Sequence, residues 1–383
     1  MMKISDTVMR RNNSFRLLLF SALCAISLFL CSCGGGENGM VEGKRVAMHY
    51  SVLLDIVDCD GYTVVDVKNP WGKGLLKRYI LVPDTCDIPQ IRGTVLRTPL
   101  QRAVVFSGVH ASLFEELGAL PVVAGVCDKR YIYSKGVQKG LEQGVVTDCG
   151  SSLNVNSEAV VQVNPDAIFV LPYENGGYGK LDNMPYPLVE CADYMETSPL
   201  GCAEWIRFYG RLVGRAAESD SVYNAVCKEY EALCRLVDGV QERPALMCEL
   251  KSSSAWYVPG GNSTMGQMYN DAGADYLFTD CGKNGSVPLS YEVVLDRGSD
   301  ADIWLFKYNA SEDKTKASLL ADFSGYSHFR PFKEGNIYAC NTHRNNIFEE
   351  ISFHPERLLK ELVALFHPSL IPGYKPLYYE KIP

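Results

Sequence analysis

Side chains able to do chemistry are spread thinly along this 383-residue chain, and the spacings that build common active sites are missing. The sequence holds no G-x-S-x-G elbow for a nucleophilic serine, no H-E-x-x-H pair for catalytic zinc, no G-x-x-x-x-G-K-[ST] phosphate loop and no G-x-G-x-x-G after a strand, so an enzyme is not expected. No C-x-x-C occurs, which removes a zinc ribbon and a thioredoxin-type redox pair. The six histidines (His49, His110, His328, His343, His354 and His367) are scattered. That scatter argues against a receptor for free zinc or manganese, which would gather several imidazoles in one place. His110 and His343 are the two placed to serve as axial ligands of a haem iron or of cobalt, since neutral imidazole coordinates such metals. The plainer alternative for both is a helix-start or loop histidine bonded to backbone or water. No resident metal and no cofactor are expected.

Charge narrows the partners. There are 37 basic and 45 acidic residues, a formal charge of −8. The first 32 residues hold four of the bases (Lys3, Arg10, Arg11, Arg16) and one acid (Asp6), so the rest carries 33 against 44, or −11. Such a surface repels a polyphosphate backbone, which excludes nucleic acid as a partner. With 4 Trp, 22 Tyr and 15 Phe the chain has the apolar area to fold and many hydroxyls left for recognition.

Residues 1–32 read as an export signal, with a basic stretch ending at Arg16 and an apolar run over 17–30. That run is shorter than the roughly 20 residues needed to span a hydrocarbon core. Leu30-Cys31-Ser32-Cys33 resembles the bacterial lipobox, which implies lipidation of Cys33 and a glycine-rich tether over 33–44. Eleven cysteines follow, an odd number, many in apolar contexts, so mostly buried free thiols are expected.

Residues 45–100 alternate strand-like runs (46–53, 62–67, 78–82 and 93–97) with turns at Asp60-Gly61 and Asn69-Pro70, which predicts an antiparallel meander. From Arg102 the pattern changes to apolar strands at 103–107, 122–126 and 167–171 interleaved with helices at 110–117 and 157–163. Strands apolar throughout and alternating with helices imply a parallel sheet covered on both faces. Val222, Val226, Tyr230, Leu233 and Val237 recur at helical spacing, predicting a helix over 218–238; at about 1.5 Å per residue it would be roughly 30 Å long. A second alternating block follows, with strands at 245–250, 301–306 and 336–339 and helices at 265–272, 291–295 and 354–366. The expected fold is therefore α/β: two doubly wound lobes, 101–215 and 241–383, joined by one long helix within 216–240, with an N-terminal antiparallel β extension over 45–100.

Four stretches carry a family resemblance. RAVVFSGVHASLFEELGAL (102–120) resembles the opening strand and helix, R-I-V-S-L-S-P and E-L-L-x-A-L-G, of the substrate-binding proteins of ABC importers for iron-siderophore complexes, haem and cobalamin. VVAGVCD (122–128) is similar to that family's V-G-V-T-D strand. NVNSEAVVQVNPD (154–166) is similar to N-x-E-x-I-x-x-L-x-P-D, and HPERLL (354–359) with LFHP (365–368) to the P-x-x-x-L-x-x-L…L-H-P ending. Two departures stand out: Phe106-Ser-Gly-Val-His110 replaces S-L-S-P, and Gly260-Gly-Asn-Ser-Thr-Met265 stands where the second lobe often supplies an acidic residue.

The resemblance implies a lipid-anchored monomer on the periplasmic side of a bacterial membrane. It would capture an iron-siderophore or related metal chelate, haem or a corrinoid, with small closure, and deliver it to an ABC permease dimer. In a doubly wound sheet the crevice lies outside the carboxyl ends of the strands. That rule selects His110, Arg130, Tyr131, Ser152 and Tyr173 in the first lobe, and Trp256, Lys307, Tyr308, His343, Arg344 and Phe348 in the second. Aromatic faces and cations in that mixture suit a conjugated, anionic chelate. Glu158, and less clearly Asn262, would dock on the permease, whereas Glu115 and Glu116 read as a solvated face. An interaction lipoprotein using the N-terminal meander is the alternative outside transport.

Overall fold

The computed structural model describes residues 41–383; the export segment and Cys33 lie outside the described residues. Among the described residues no helix is long and apolar enough to cross a membrane.

Three five-stranded sheets follow one another along the chain. The first is built from Lys44–Arg45, Leu54–Cys59, Tyr62–Lys68, Leu75–Pro83 and Thr94–Thr98 in sequence order. Its first three pairings are antiparallel, but Thr94–Thr98 runs parallel to Leu75–Pro83, so the expected meander holds only up to its last strand. The second sheet has the order Leu188–Glu190, Ala167–Val170, Ala103–Val105, Val123–Val126, Thr147–Asp148 and is parallel throughout. The third has the order Asp275–Tyr276, Ala245–Cys248, Ile303–Tyr308, Ile337–Asn341, Glu380–Lys381, parallel except for its last strand. In both parallel sheets the first strand lies inside the sheet and later strands add on either side of it. This creates a reversal of strand order beside Ala103–Val105 and another beside Ala245–Cys248.

Between the parallel sheets runs the helix Ala216–Val237, 22 residues, close to the expected span. Its buried stripe, Tyr223, Val226, Tyr230, Leu233 and Val237, belongs to the core of the C-terminal lobe. Its first turns are held by the helix Ile206–Leu212. The Arg207 guanidinium lies 4.6 Å from the Tyr223 ring centre, Arg211 pairs with Asp220 at 3.4 Å, and Gly210 leaves room for Ser219, whose Oγ would sit 2.1 Å from an added Cβ.

The strand expected over 46–53 does not form, because its amides go elsewhere. The Glu204 carboxylate accepts N–H groups from His49, Tyr50 and Ser51 at 2.8–2.9 Å. Glu196 accepts those of Val52 and Leu53 at 2.9 and 3.1 Å and the indole N–H of Trp205 at 2.9 Å. Both carboxylates are buried. A carboxylate accepting several N–H bonds satisfies donors that a strand ladder would otherwise satisfy. The N-terminal sheet is thereby fastened to the first lobe, and the two share one core, with Tyr79 stacked on Phe208 and its hydroxyl accepting the Glu190 amide at 2.7 Å.

Replacing Glu204 with Ala would leave three amide donors unmatched, and at about 1–3 kcal/mol for a stranded buried group the loss should total about 3 kcal/mol or more. Chemical denaturation of the variant checks this.

Candidate functional site

The rims of the two parallel sheets are built from the residues that follow each strand. In the N-terminal lobe Ser107 caps the helix Gly108–Glu116, its Oγ accepting the Val109 amide at 3.3 Å. Asp128 adopts a left-handed backbone, φ 51°, and its carboxylate accepts the Ser152 amide at 3.0 Å. In the C-terminal lobe Glu249 is also left-handed, φ 63°, and its carboxylate meets the Lys307 ammonium at 2.5 Å. Positive φ costs energy for a residue with a Cβ and persists only where the surroundings fix it. Burial opposes the charge on Lys307, but the neighbouring Tyr379 and Glu249 outweigh it and hold its pKa well above the ordinary lysine value.

Each reversal of strand order opens into a hollow. Beside Ala103–Val105 and Ala167–Val170 lies a cavity of about 510 Å³ lined by Phe106, Ser152, Leu171, Tyr173, Tyr178 and Lys180 among others. Tyr173 is 58 % exposed, its hydroxyl donating to the Gly177 carbonyl at 2.6 Å. Beside Ala245–Cys248 and Ile303–Tyr308 lies one of about 440 Å³ lined by Glu249, Lys251, Ser252, Tyr257, Pro259 and Lys307 among others. The carboxyl edges of the two sheets meet: the Tyr133 hydroxyl, on the loop after Val123–Val126, donates to the carbonyls of Thr342 and His343 at 2.8 and 3.4 Å, on the loop after Ile337–Asn341.

The lobes are pinned around a separate hollow of about 430 Å³ lined by residues of both. Glu349 accepts the Tyr133 amide at 2.7 Å and the Ser112 hydroxyl at 2.8 Å, and it lies over Gly108, where a Cβ would come 1.9 Å from its Oε1. Burial raises the Glu349 carboxyl above the ordinary range despite these bonds. His354 bridges Glu116 at 2.7 Å and Glu356 at 2.9 Å. Glu115 accepts the Ser134 hydroxyl at 2.5 Å and the Gly136 amide at 3.1 Å. Glu115 and Glu116 thus fasten neighbouring segments: Glu116 is exposed, as expected of a solvated face, while Glu115 is half-buried.

The rim residues selected from sequence divide into two groups. Arg130, Tyr131, Tyr173, Ser152 and His343 are exposed in the segments after strands, and Phe348 is exposed on the short helix Ile347–Glu350. The Arg130 guanidinium lies 4.6 Å from the Tyr131 ring centre and has no carboxylate partner among the described residues. Lys307 is committed to Glu249, and the Tyr308 hydroxyl donates to Asp313 at 3.1 Å. Arg344 is neutralised by Asp313 at 2.5 Å and Glu380 at 3.0 Å, in a separate hollow of about 220 Å³ within the C-terminal lobe.

Two choices are corrected. Trp256 lies in the core of the C-terminal lobe, its indole N–H donating to the Cys248 carbonyl at 2.9 Å and its rings packed on Trp304, Tyr326 and Phe329. Alternation along Ala255–Pro259 turns Trp256 inward and Tyr257, 48 % exposed, outward, so Tyr257 lines the hollow. His110 is buried, its Nε2 3.1 Å from Asp193 Oδ1, and does not reach the rim. Of the docking candidates, Glu158 is exposed in the first turn of Ser157–Val163, and the Asn262 amide donates to the Gly282 carbonyl at 3.0 Å. Glu249 and Glu349 were not selected from sequence; Tyr257 fell within the strand-end stretch 252–257, from which Trp256 was preferred, and the period of two in 255–259 was the signal that separates them.

Residues 104–342, more than half of the chain, match the family described as periplasmic binding protein. The chain belongs to the periplasmic binding protein family. Its members are solute-binding proteins, which agrees with the absence of enzyme motifs. An uncharacterised lipoprotein of Methanocaldococcus jannaschii is 26% identical over 299 residues, covering 75% of this chain and 70% of its own. A second lipoprotein of that organism is 25% identical over 334 residues, covering 84% and 83%. A periplasmic heme binding protein from Pseudomonas aeruginosa is similar in fold, with TM-score 0.57, 16% identity and coverage of 74% of this chain and 98% of its own. A possible iron-binding periplasmic solute-binding protein from Staphylococcus epidermidis gives 0.56, 18%, 70% and 100%.

The pin at His354 carries a pH dependence. Burial opposes its charge, but the carboxylates of Glu116 and Glu356 outweigh it and raise its pKa to about 9. Because the folded value lies above that of a free imidazole, roughly 6.5, the contribution is complete below that pH and lost as pH rises through 9; it should be on the order of 2 kcal/mol. The melting temperature should fall between about pH 6.5 and 9, and His354→Gln should flatten that slope.

Proposed function

We propose that the protein captures an iron-siderophore or a related anionic metal chelate between its lobes and delivers it to an ABC permease, held near the membrane by a lipid on Cys33. The observation that carries this reading is the pair of hollows at the strand-order reversals of two sheets whose carboxyl edges touch. Strand-end crevices at such reversals are where open α/β sheets bind ligands. Exposed side chains supply what a chelate needs: Tyr173 and Tyr257 line the two hollows and offer ring area, as do Tyr131 and Phe348 elsewhere on the loop-bearing surface, where Arg130 offers a cation not consumed by an internal carboxylate. Two proteins of similar fold, one a possible iron-binding and one a heme-binding protein, support the same class of cargo. Closure would be small, because the helix Ala216–Val237 is packed into one lobe and clasped by the other. A monomer suffices, since both rims come from one chain.

A second reading within the family has its own observation. His343 is exposed on the rim and its ring makes no hydrogen bond among the described residues, so its imidazole is available as an axial ligand to haem or a corrinoid. The visible spectrum of protein purified from its native host separates these cargoes, since ferric catecholates, haem and corrinoids absorb differently. Colourless protein that neither quenches nor shifts in melting temperature with any of the three would overturn the reading.

Tyr257→Ala should weaken chelate binding about fivefold, or about 1 kcal/mol, in a fluorescence titration. Trp256→Ala should instead cost about 3–5 kcal/mol of stability with affinity of the folded fraction retained. Glu158→Arg should reduce uptake by cells while leaving solution affinity unchanged, because its carboxylate is proposed to meet the permease and not the cargo.

A further inference from the structure

Beneath the N-terminal rim, three groups with the donor chemistry of a transition-metal site meet out of reach of solvent. His110 comes from the helix Gly108–Glu116 that follows the first strand of the sheet. Cys191 and Asp193 come from the segment after the edge strand Leu188–Glu190. A ring nitrogen of His110, the Cys191 sulfur and a carboxylate oxygen of Asp193 all lie within 4.8 Å of one another. The residues are 2 %, 0 % and 3 % exposed. His110 Nε2 is 3.1 Å from Asp193 Oδ1, and the Tyr209 hydroxyl donates to the same oxygen at 2.6 Å. The Cys191 thiol donates to the Val189 carbonyl at 3.5 Å, an ordinary distance for sulfur.

We propose that His110, Cys191 and Asp193 bind a divalent zinc-like cation that ties the opening helix of the first lobe to the edge of its sheet. The donors choose the ion. A thiolate with an imidazole favours zinc and its first-row neighbours, and a single carboxylate cannot satisfy the six or more oxygens that calcium and magnesium require. Charge agrees: thiolate and carboxylate together carry −2, so a divalent ion leaves the buried site neutral, where an unpaired charge would be costly. On binding, the metal forms bonds to sulfur, nitrogen and oxygen, the thiol proton and any proton on the imidazole leave to solvent, and no electron moves. Because all three donors are buried, the ion enters as the lobe folds and is retained afterwards. The site lies below the rim and shares no side chain with the chelate-binding hollows, so it stands whether or not the cargo reading does.

Full-length protein purified in detergent without chelators, then denatured with a chromophoric zinc indicator, should release about one equivalent of zinc per chain. Cys340→Ser, which changes a buried thiol elsewhere, should release the same amount, whereas Cys191→Ser and Asp193→Asn should release little or none. Refolding with cobalt(II) in place of zinc should give a thiolate-to-cobalt charge-transfer band in the wild type that Cys191→Ser lacks. Wild-type protein that releases no zinc and shows no such band would establish a metal-free hydrogen-bonded cluster and overturn the proposal, as would full zinc retention in a folded Cys191→Ser. The wild-type spectrum decides the matter even where the variants do not fold.

Discussion

The helix Ala216–Val237 buries Tyr223, Val226, Tyr230, Leu233 and Val237 in the core of the C-terminal lobe, while Arg207 and Arg211 of the first lobe grip its opening turns. A helix committed at both ends in this way cannot bend without opening a packed core, and packed cores resist continuous deformation. The carboxyl edges of the two sheets are therefore set facing by a rod and then held by a few polar pins. Glu349 seats over Gly108 and His354 reaches Glu116. Both pins cross from the second lobe to the same helix of the first, so the helix that begins at the rim also carries the restraint on its motion.

The N-terminal sheet belongs to the same mechanical system. Its residues join those of the first lobe in one core, and Glu196 and Glu204 draw residues 49–53 into the molecule through a set of amide bonds. This gives the sheet a structural task, bracing the helix Ile206–Leu212 through Arg211 and Asp58 at 3.0 Å.

The alternation of apolar strands and helices made the two parallel sheets legible, because strands covered on both faces must be apolar throughout. The long helix was legible because one face of it is solvated, leaving a clear period in its apolar residues. The helices Pro199–Glu204 and Ile206–Leu212 were not, since nearly every residue in them is buried and a helix apolar all round has no period to read. Residues 46–53 read as a strand from composition, and only the distant carboxylates, some 150 positions along the chain, decide otherwise. At the candidate site, strand-end position picked out Tyr173, which lines the N-terminal hollow, and Arg130 and Tyr131, which are exposed near the rim. It could not tell Trp256 from Tyr257, because adjacent residues share an address in sequence and lie on opposite faces in space.

All eleven cysteines from Cys59 onward are unpaired. Thiol exchange needs an accessible thiolate, and burial withholds both access and ionisation: it pushes the Cys149 thiol up to about 11 and those of Cys234 and Cys340 to about 12. A chain with this complement, exported as proposed, faces a race. Until its sheets close, any oxidant it meets can cross-link wrong partners; once they close, Cys127, Cys149, Cys191, Cys202, Cys248 and Cys340 are withdrawn from it, and the finished protein tolerates surroundings that its nascent form would not survive.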